Sequence, residues 1–277
     1  VQRMRAPHWT EWMPPLDQVQ FFCKKNSSEF LQNSGASRAM YLRGLLIGAE
    51  LMAHGVDVNC APSADIAWPE THPFLRNRCY GTDSRTVTSM ARACADGLMD
   101  AGVLPVLKHA PGHGRATLDS HKALPRIAAP LSELQETDFA PFKALGAYPM
   151  AMTAHIVLPE VHPDLPLTLS SDGVKLLRET LGLAGLLMTD DISMGALTGT
   201  VAERGARALQ AGCDIVLHCN GDLAEMDALA TALAGLFTAP AQSRADAALA
   251  ARRSPTDIDI PALQAEFASL IEGAENA

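Results

Sequence analysis

Five short apolar runs, each feeding directly into polar side chains and each separated from the next by a helix-forming stretch, restrict this chain to very few folds. The runs are 56–62, 103–107, 150–155, 185–189 and 214–217. Their polar ends are Asn59, Lys108 with His109, His155, Asp190 with Asp191, and His218 with Asn220. Residues 38–55 carry an apolar stripe (Ala39, Leu42, Leu45, Leu46, Ala49, Leu51) and stop at Gly55. Further helices are expected over 84–101, with Asp83 or Ser84 as N-cap and Gly102 beyond the end, and over 132–146. Two more are expected over 171–181, with Ser170 or Ser171 as cap and Gly182 as stop, and over 201–211, ending at Gly212. A last Ala-rich pair of helices takes most of 222–275. Continuous apolar strands alternating with helices mean an α/β fold whose parallel sheet is covered by helices. Polar residues gathered at the strand ends favour a TIM-type (β/α)8 barrel, whose strand ends ring one mouth, over an open sheet.

Five βα units fall short of the eight that close such a barrel. Residues 1–277 therefore read as one barrel domain incomplete at its N-terminus, with the missing units upstream of Val1. On that reading the chain alone is expected to fold poorly, aggregate or pair through open sheet edges. The length-complete protein is expected to be a monomer. Residues 20–34 differ in style from their surroundings and read as a surface insertion without assigned function.

Charge and composition remove several classes. A net charge of −9 without a basic cluster argues against a nucleic-acid partner. No apolar run approaches the roughly 20 residues that span a bilayer, so no membrane partner is expected. The six cysteines (Cys23, Cys60, Cys79, Cys94, Cys213, Cys219) are scattered without a C-x-x-C pair, which speaks against a disulfide or zinc framework. A reducing, cytoplasmic location follows as an expectation.

The chemistry gathers at two strand ends. Lys108-His109-Ala110-Pro111-Gly112-His113-Gly114 leaves the 103–107 strand, and Asp119-Ser120-His121 follows in the same loop. On an extended segment residues i and i+2 point the same way, so the Asp119 carboxylate can bond the His121 imidazole and orient it for proton transfer. The bland alternative is a pair of surface polar residues. Lysine is rarely buried unpaired, so Lys108 at a strand end faces either a pocket or a structural carboxylate. Asp190-Asp191 is readable as a nucleophile with its neighbour, as part of a metal site, or as a helix cap. Arg78, in Arg76-Asn77-Arg78-Cys79-Tyr80-Gly81, lies on a long loop suited to anion or hydroxyl recognition, unless it is a plain surface arginine. His155 is equally readable as a structural histidine. A metal-dependent barrel hydrolase using His109, His113, His121, His155 and Asp190 competes, although Lys108 would repel a cation there. An inactive sugar-binding fragment is the other competitor.

Taken together, Lys-His-x-Pro-Gly-His-Gly with Asp-Ser-His five residues on, Asn-Arg-x-Tyr-Gly, Met-Thr-Ala-His and Thr-Asp-Asp-Ile-Ser-Met-Gly resemble family 3 glycoside hydrolases. Within that family they are similar to the bacterial β-N-acetylglucosaminidases (β-hexosaminidases) of cell-wall recycling, from Val1 to about residue 221. The resemblance implies retaining hydrolysis of terminal β-linked N-acetylglucosamine without a cofactor or metal. Its substrates would be small carbohydrates such as N-acetylglucosaminyl-anhydromuramyl peptides. It further implies a nucleophile at Asp190 and an acid/base at His121 oriented by Asp119. Arg78, Lys108, His109 and Arg3 would bind the sugar, Arg3 because Val-Gln-Arg matches the end of the family's Asp-Gln-Glu-Gly-Gly-Arg-Val-Gln-Arg stretch. The chain departs from the pattern in lacking the early strands, in the 20–34 segment, and in Ala110 where an aromatic Phe is usual.

Overall fold

The computed structural model describes residues 34–275; Arg3 and nearly all of the 20–34 segment lie outside the described residues. Helix α1 (Ser34–Ala53) leads to strand β1 (Val58–Asn59), the single-turn helix α2 (Pro73–Arg76) and helix α3 (Ser84–Asp100). Strand β2 (Leu104–Ala110) is followed by short helices α4 (Leu131–Glu136) and α5 (Ala140–Leu145), then strand β3 (Met150–Thr153). Helix α6 (Ser171–Lys175) continues as a π-helical turn (Leu176–Thr180) into strand β4 (Leu186–Asp191). Helix α7 (Val201–Ala211), strand β5 (Ile215–Leu217) and helices α8 (Leu223–Leu233), α9 (Ala239–Ala250) and α10 (Ile260–Glu275) complete it.

All five strands pair in parallel and in sequence order, β1-β2-β3-β4-β5, and curl into a half-barrel. Period-two alternation sends the side chains of each strand to two different cores. Leu107, Ala151 and Leu187 join the helix side chains Leu98, Phe142, Leu177 and Ala208 on the outer face. Leu104, Val106, Met150, Met152, Leu186 and Met188 form the inner cluster, and its helical member is Ala248 of α9, with Ala245 and Ala251 packed beside it. Helix α9 is thus seated in the concave face. It is tied there by Arg244 to the buried Asp214 (2.7 Å) ahead of β5, and just past its end by Arg252 to Asp57 and Arg253 to Asp100.

The expected caps are in place. Asp83 accepts from the Thr86 N–H (2.9 Å), Ser170 from the Gly173 N–H (3.2 Å), and Gly212 ends α7 in the left-handed region. Three expectations need correction. The single helix over 132–146 is two, because the buried Asp138 turns its carboxylate onto the Trp68 Nε1–H (3.0 Å) and Arg115 Nε–H (2.7 Å), and Pro141 sits in the first turn of the next helix. The terminal pair is three helices. Strands β2 and β4 run further than their apolar runs, so that Lys108, His109, Asp190 and Asp191 belong to the strands themselves. Among the described residues no helix is long and apolar enough to cross a membrane.

Candidate active site

The KHAPGHG loop is built around a carboxylate that sequence reasoning missed. Asp65 is fully buried, in the segment after β1 that bridges to the end of β2 through Ser63 and Lys108. It accepts from the His109 Nδ1–H (2.7 Å), the His113 backbone N–H (2.7 Å) and the Ser63 hydroxyl (3.1 Å). Burial works against its charge, but the His109 imidazole and the donors around it hold the carboxyl well below the usual carboxylate range. Gly114 belongs to the same seam, since a Cβ there would collide with the Ile66 carbonyl. This second glycine of the motif is a close-approach residue that lets the loop lie against the Asp65 segment. No spacing signal announces Asp65, because its partners come from a loop more than forty residues later in the chain.

Asp190 stands at the end of β4. Burial again opposes ionisation, yet its carboxyl is held below the usual range by the imidazoles of His109 and His155, the Asp191 N–H (2.8 Å) and the Lys108 ammonium. Lys108 is therefore one contributor among several rather than the main one. Its own pKa is lowered by burial and by Arg78, against the pull of Cys60, Asp190 and Asp65. Arg78 reaches the same neighbourhood; its Nε is buried without a hydrogen-bond partner, and its guanidinium lies 5.1 Å from the centre of the Phe74 ring.

The second acid has a different task. Asp191 accepts from the Ser193 N–H (3.1 Å), the Ser193 hydroxyl (2.7 Å) and the Cys219 N–H (3.1 Å), locking the turn after β4 to the end of β5. The Asp191 carbonyl accepts from His155 Nε2–H (3.1 Å), and His155 Nδ1 is hydrogen-bonded to the Thr168 hydroxyl (2.8 Å). His155 is buried, desolvation lowers its pKa, and through these two bonds it braces this strand end.

Asp119 and His121 form the pair their spacing predicts: the His121 Nδ1–H donates to Asp119 Oδ1 at 2.7 Å, and the His121 backbone N–H donates to the same oxygen at 3.0 Å. With Nδ1 engaged, Nε2 is the nitrogen left for proton transfer. Against a burial penalty, the His121 ring and N–H keep the Asp119 carboxyl low. The imidazole itself is 58% exposed. Its loop is fastened to the turn after Asp190 by the Gly195 N–H to the His121 carbonyl (3.0 Å) and the Ala196 N–H to the Ser120 carbonyl (3.2 Å). The structure therefore groups Arg78, Lys108, His109 and Asp190 at the strand ends and joins the Asp119–His121 loop to the segment after Asp190. Among the described residues, no group of three or more His, Cys, Asp or Glu is placed to hold a metal ion.

Comparison with known proteins matches residues 26–249 to the glycosyl hydrolase family 3 N terminal domain. A beta-hexosaminidase of Bordetella pertussis is 35% identical over 230 residues, covering 81% of this chain and 63% of that relative. One from Neisseria meningitidis serogroup C is 36% identical over 192 residues, 68% of this chain and 53% of its own length. The chain thus spans less than two thirds of these relatives. A family 3 β-N-acetylglucosaminidase structure from Paenibacillus aligns with TM-score 0.74 at 30% identity, over 87% of this chain and 51% of that one. NagZ from Neisseria gonorrhoeae, solved with N-trifluoroacetyl-D-glucosamine, aligns with TM-score 0.73 at 28% identity, over 94% and 74%.

Proposed function

The chain belongs to glycosyl hydrolase family 3, whose N-terminal domain it carries, and from that premise we propose that it supplies the catalytic machinery of a retaining β-N-acetylglucosaminidase. The observation that carries the reading is an ionised carboxylate at a strand end, Asp190, whose following turn holds the loop of a hydrogen-bonded Asp119–His121 pair. A nucleophile must keep its negative charge in a sugar-binding mouth, and Lys108 and the His109 imidazole favour that charge. A proton shuttle must gain and lose its proton near neutrality, which an imidazole does without the burial a carboxylic acid needs.

In the first half-reaction the Asp190 carboxylate attacks the anomeric carbon while the His121 imidazolium gives its Nε2 proton to the departing glycosidic oxygen. In the second, His121 takes a proton from water, the hydroxide so formed attacks the anomeric carbon, and Asp190 leaves as carboxylate. Asp119 stabilises the imidazolium in the first step without taking its proton. Lys108, His109 and Arg78 hold sugar hydroxyls, with Arg3 as a further contact. The substrates we assign are small β-N-acetylglucosaminides of the muropeptide type, met in the cytoplasm during peptidoglycan turnover. The names of the relatives support the hexosaminidase class, and the muropeptide assignment rests on the motif resemblance.

The test is Asp190→Ala in the full chain, assayed on an activated aryl β-N-acetylglucosaminide. Turnover should fall by at least a thousandfold with the thermal transition retained, on the order expected when a covalent nucleophile is removed. Near-normal turnover would sink the assignment.

A further inference from the structure

The carboxylate of Asp119 fixes one nitrogen of His121, but a single hydrogen bond leaves an exposed imidazole free to swing about that contact. A second surface restrains it. The His121 ring meets the Phe74 ring edge to face, with centroids 5.3 Å apart and planes at 86°. Edge-to-face contact at this separation is the favoured geometry for paired aromatic rings.

Phe74 is mounted firmly enough to serve as a stop. It lies on the single turn α2, whose Leu75 is fully buried. The His72 N–H ahead of that turn donates to the Ala116 carbonyl (3.1 Å), and Arg76 Nη1–H at its end donates to the Pro69 carbonyl (2.8 Å). The same Phe74 ring carries the Arg78 guanidinium and touches His113 of the KHAPGHG loop edge to face at 6.0 Å. One aromatic side chain therefore connects the candidate acid/base, a candidate sugar-binding arginine and the loop that bears Lys108 and His109. None of the sequence motifs includes it.

We propose that Phe74 is a positioning residue: its ring sets the plane of the His121 imidazole, so that Nε2 faces the mouth while Asp119 holds Nδ1. The role rests on the acid/base reading of His121, and the two are separable by experiment. Loss of one aromatic pair is worth about three- to tenfold in the step that depends on it.

The experiment uses the full chain with Phe74→Leu, Phe74→Tyr and His121→Gln, assayed on aryl β-N-acetylglucosaminides with good and poor leaving groups. Alongside, the His121 ring-proton resonances are followed by NMR, assigned by their loss in His121→Gln. Phe74→Leu should lower kcat on poor leaving groups about three- to tenfold, cost activated substrates distinctly less, and move the His121 resonances as the ring current disappears. Phe74→Tyr should restore both readouts, which a fold defect in the leucine variant would not mimic. If His121→Gln separates the two substrate classes and Phe74→Leu does not, or if the resonances stay in place, the positioning role falls alone. If His121→Gln loses both classes equally, the acid/base reading falls and takes the positioning role with it.

Discussion

At the scale of single residues, the site divides labour between neighbouring acids that sequence alone cannot rank. In Asp190-Asp191 the first carboxylate is left for chemistry and the second is consumed by Ser193 and Cys219. Asp119 and His121 divide their work in the opposite sense, with the acid orienting and the base acting. It follows that His121→Gln should depress turnover of substrates with poor leaving groups at least about a hundredfold while costing activated ones much less, because only the former need a proton delivered. Leaving-group dependence of kcat measures this, and equal losses would assign His121 to binding or structure instead. The Asp119–His121 contact was legible because both partners sit two residues apart on one loop. Asp65 was not, because a buried carboxylate whose partners His109 and His113 lie 44 and 48 residues away leaves no local pattern.

At the scale of elements, the alternation of strands and helices was legible because burial on both faces writes a continuous apolar run, and caps such as Asp83 and Ser170 mark where helices begin. What was not legible follows from the same physics. The Ala-rich C-terminal region offers little contrast between its helical faces, so two helices were read where three form, and Asp138 broke a helix through partners far off in sequence. Local chemistry also hid the role of Gly195. Its amide donates to the His121 carbonyl, and a Cβ added there would lie 2.8 Å from that oxygen and 3.2 Å from the Lys122 carbonyl. Gly195→Ala should therefore push the acid/base loop away from the turn after Asp190. Because Gly195 is exposed, the thermal midpoint should hardly move while kcat on poor leaving groups drops on the order of tenfold. A variant with unchanged leaving-group dependence would show the two loops to be independent.

At the scale of the whole molecule, the buried histidine of the KHAPGHG loop makes stability depend on pH. His113 is 2% exposed, neither ring nitrogen has a hydrogen-bond partner, and desolvation lowers its pKa to about 4. In the unfolded chain an imidazole binds its proton near 6.5, so between these values the unfolded state holds more protons and stability falls as the pH drops, by up to about 3 kcal/mol. The depressed Asp65 carboxyl acts in the same direction at lower pH: its contribution is complete above its unfolded value and is lost as the pH falls through the folded one. Thermal midpoints measured from pH 7 to pH 4 should fall steadily, and His113→Leu should flatten the slope in that window; an equal slope in the variant would contradict it. Helix α9 has a consequence of another kind, one of timing. It is the last part of the inner cluster to leave the ribosome, and the ties beyond its end reach back 195 residues from Arg252 to Asp57 and 153 residues from Arg253 to Asp100. Every strand of the sheet is synthesised before the helix that fills its hollow side exists. A chain arrested at residue 238 should accordingly bind a hydrophobic dye and be cut readily by protease, and it should become resistant only when α9 and the residues just beyond it have been made. During synthesis those five strands wait with an oily palm open, and their need for a chaperone should end when α9 closes it.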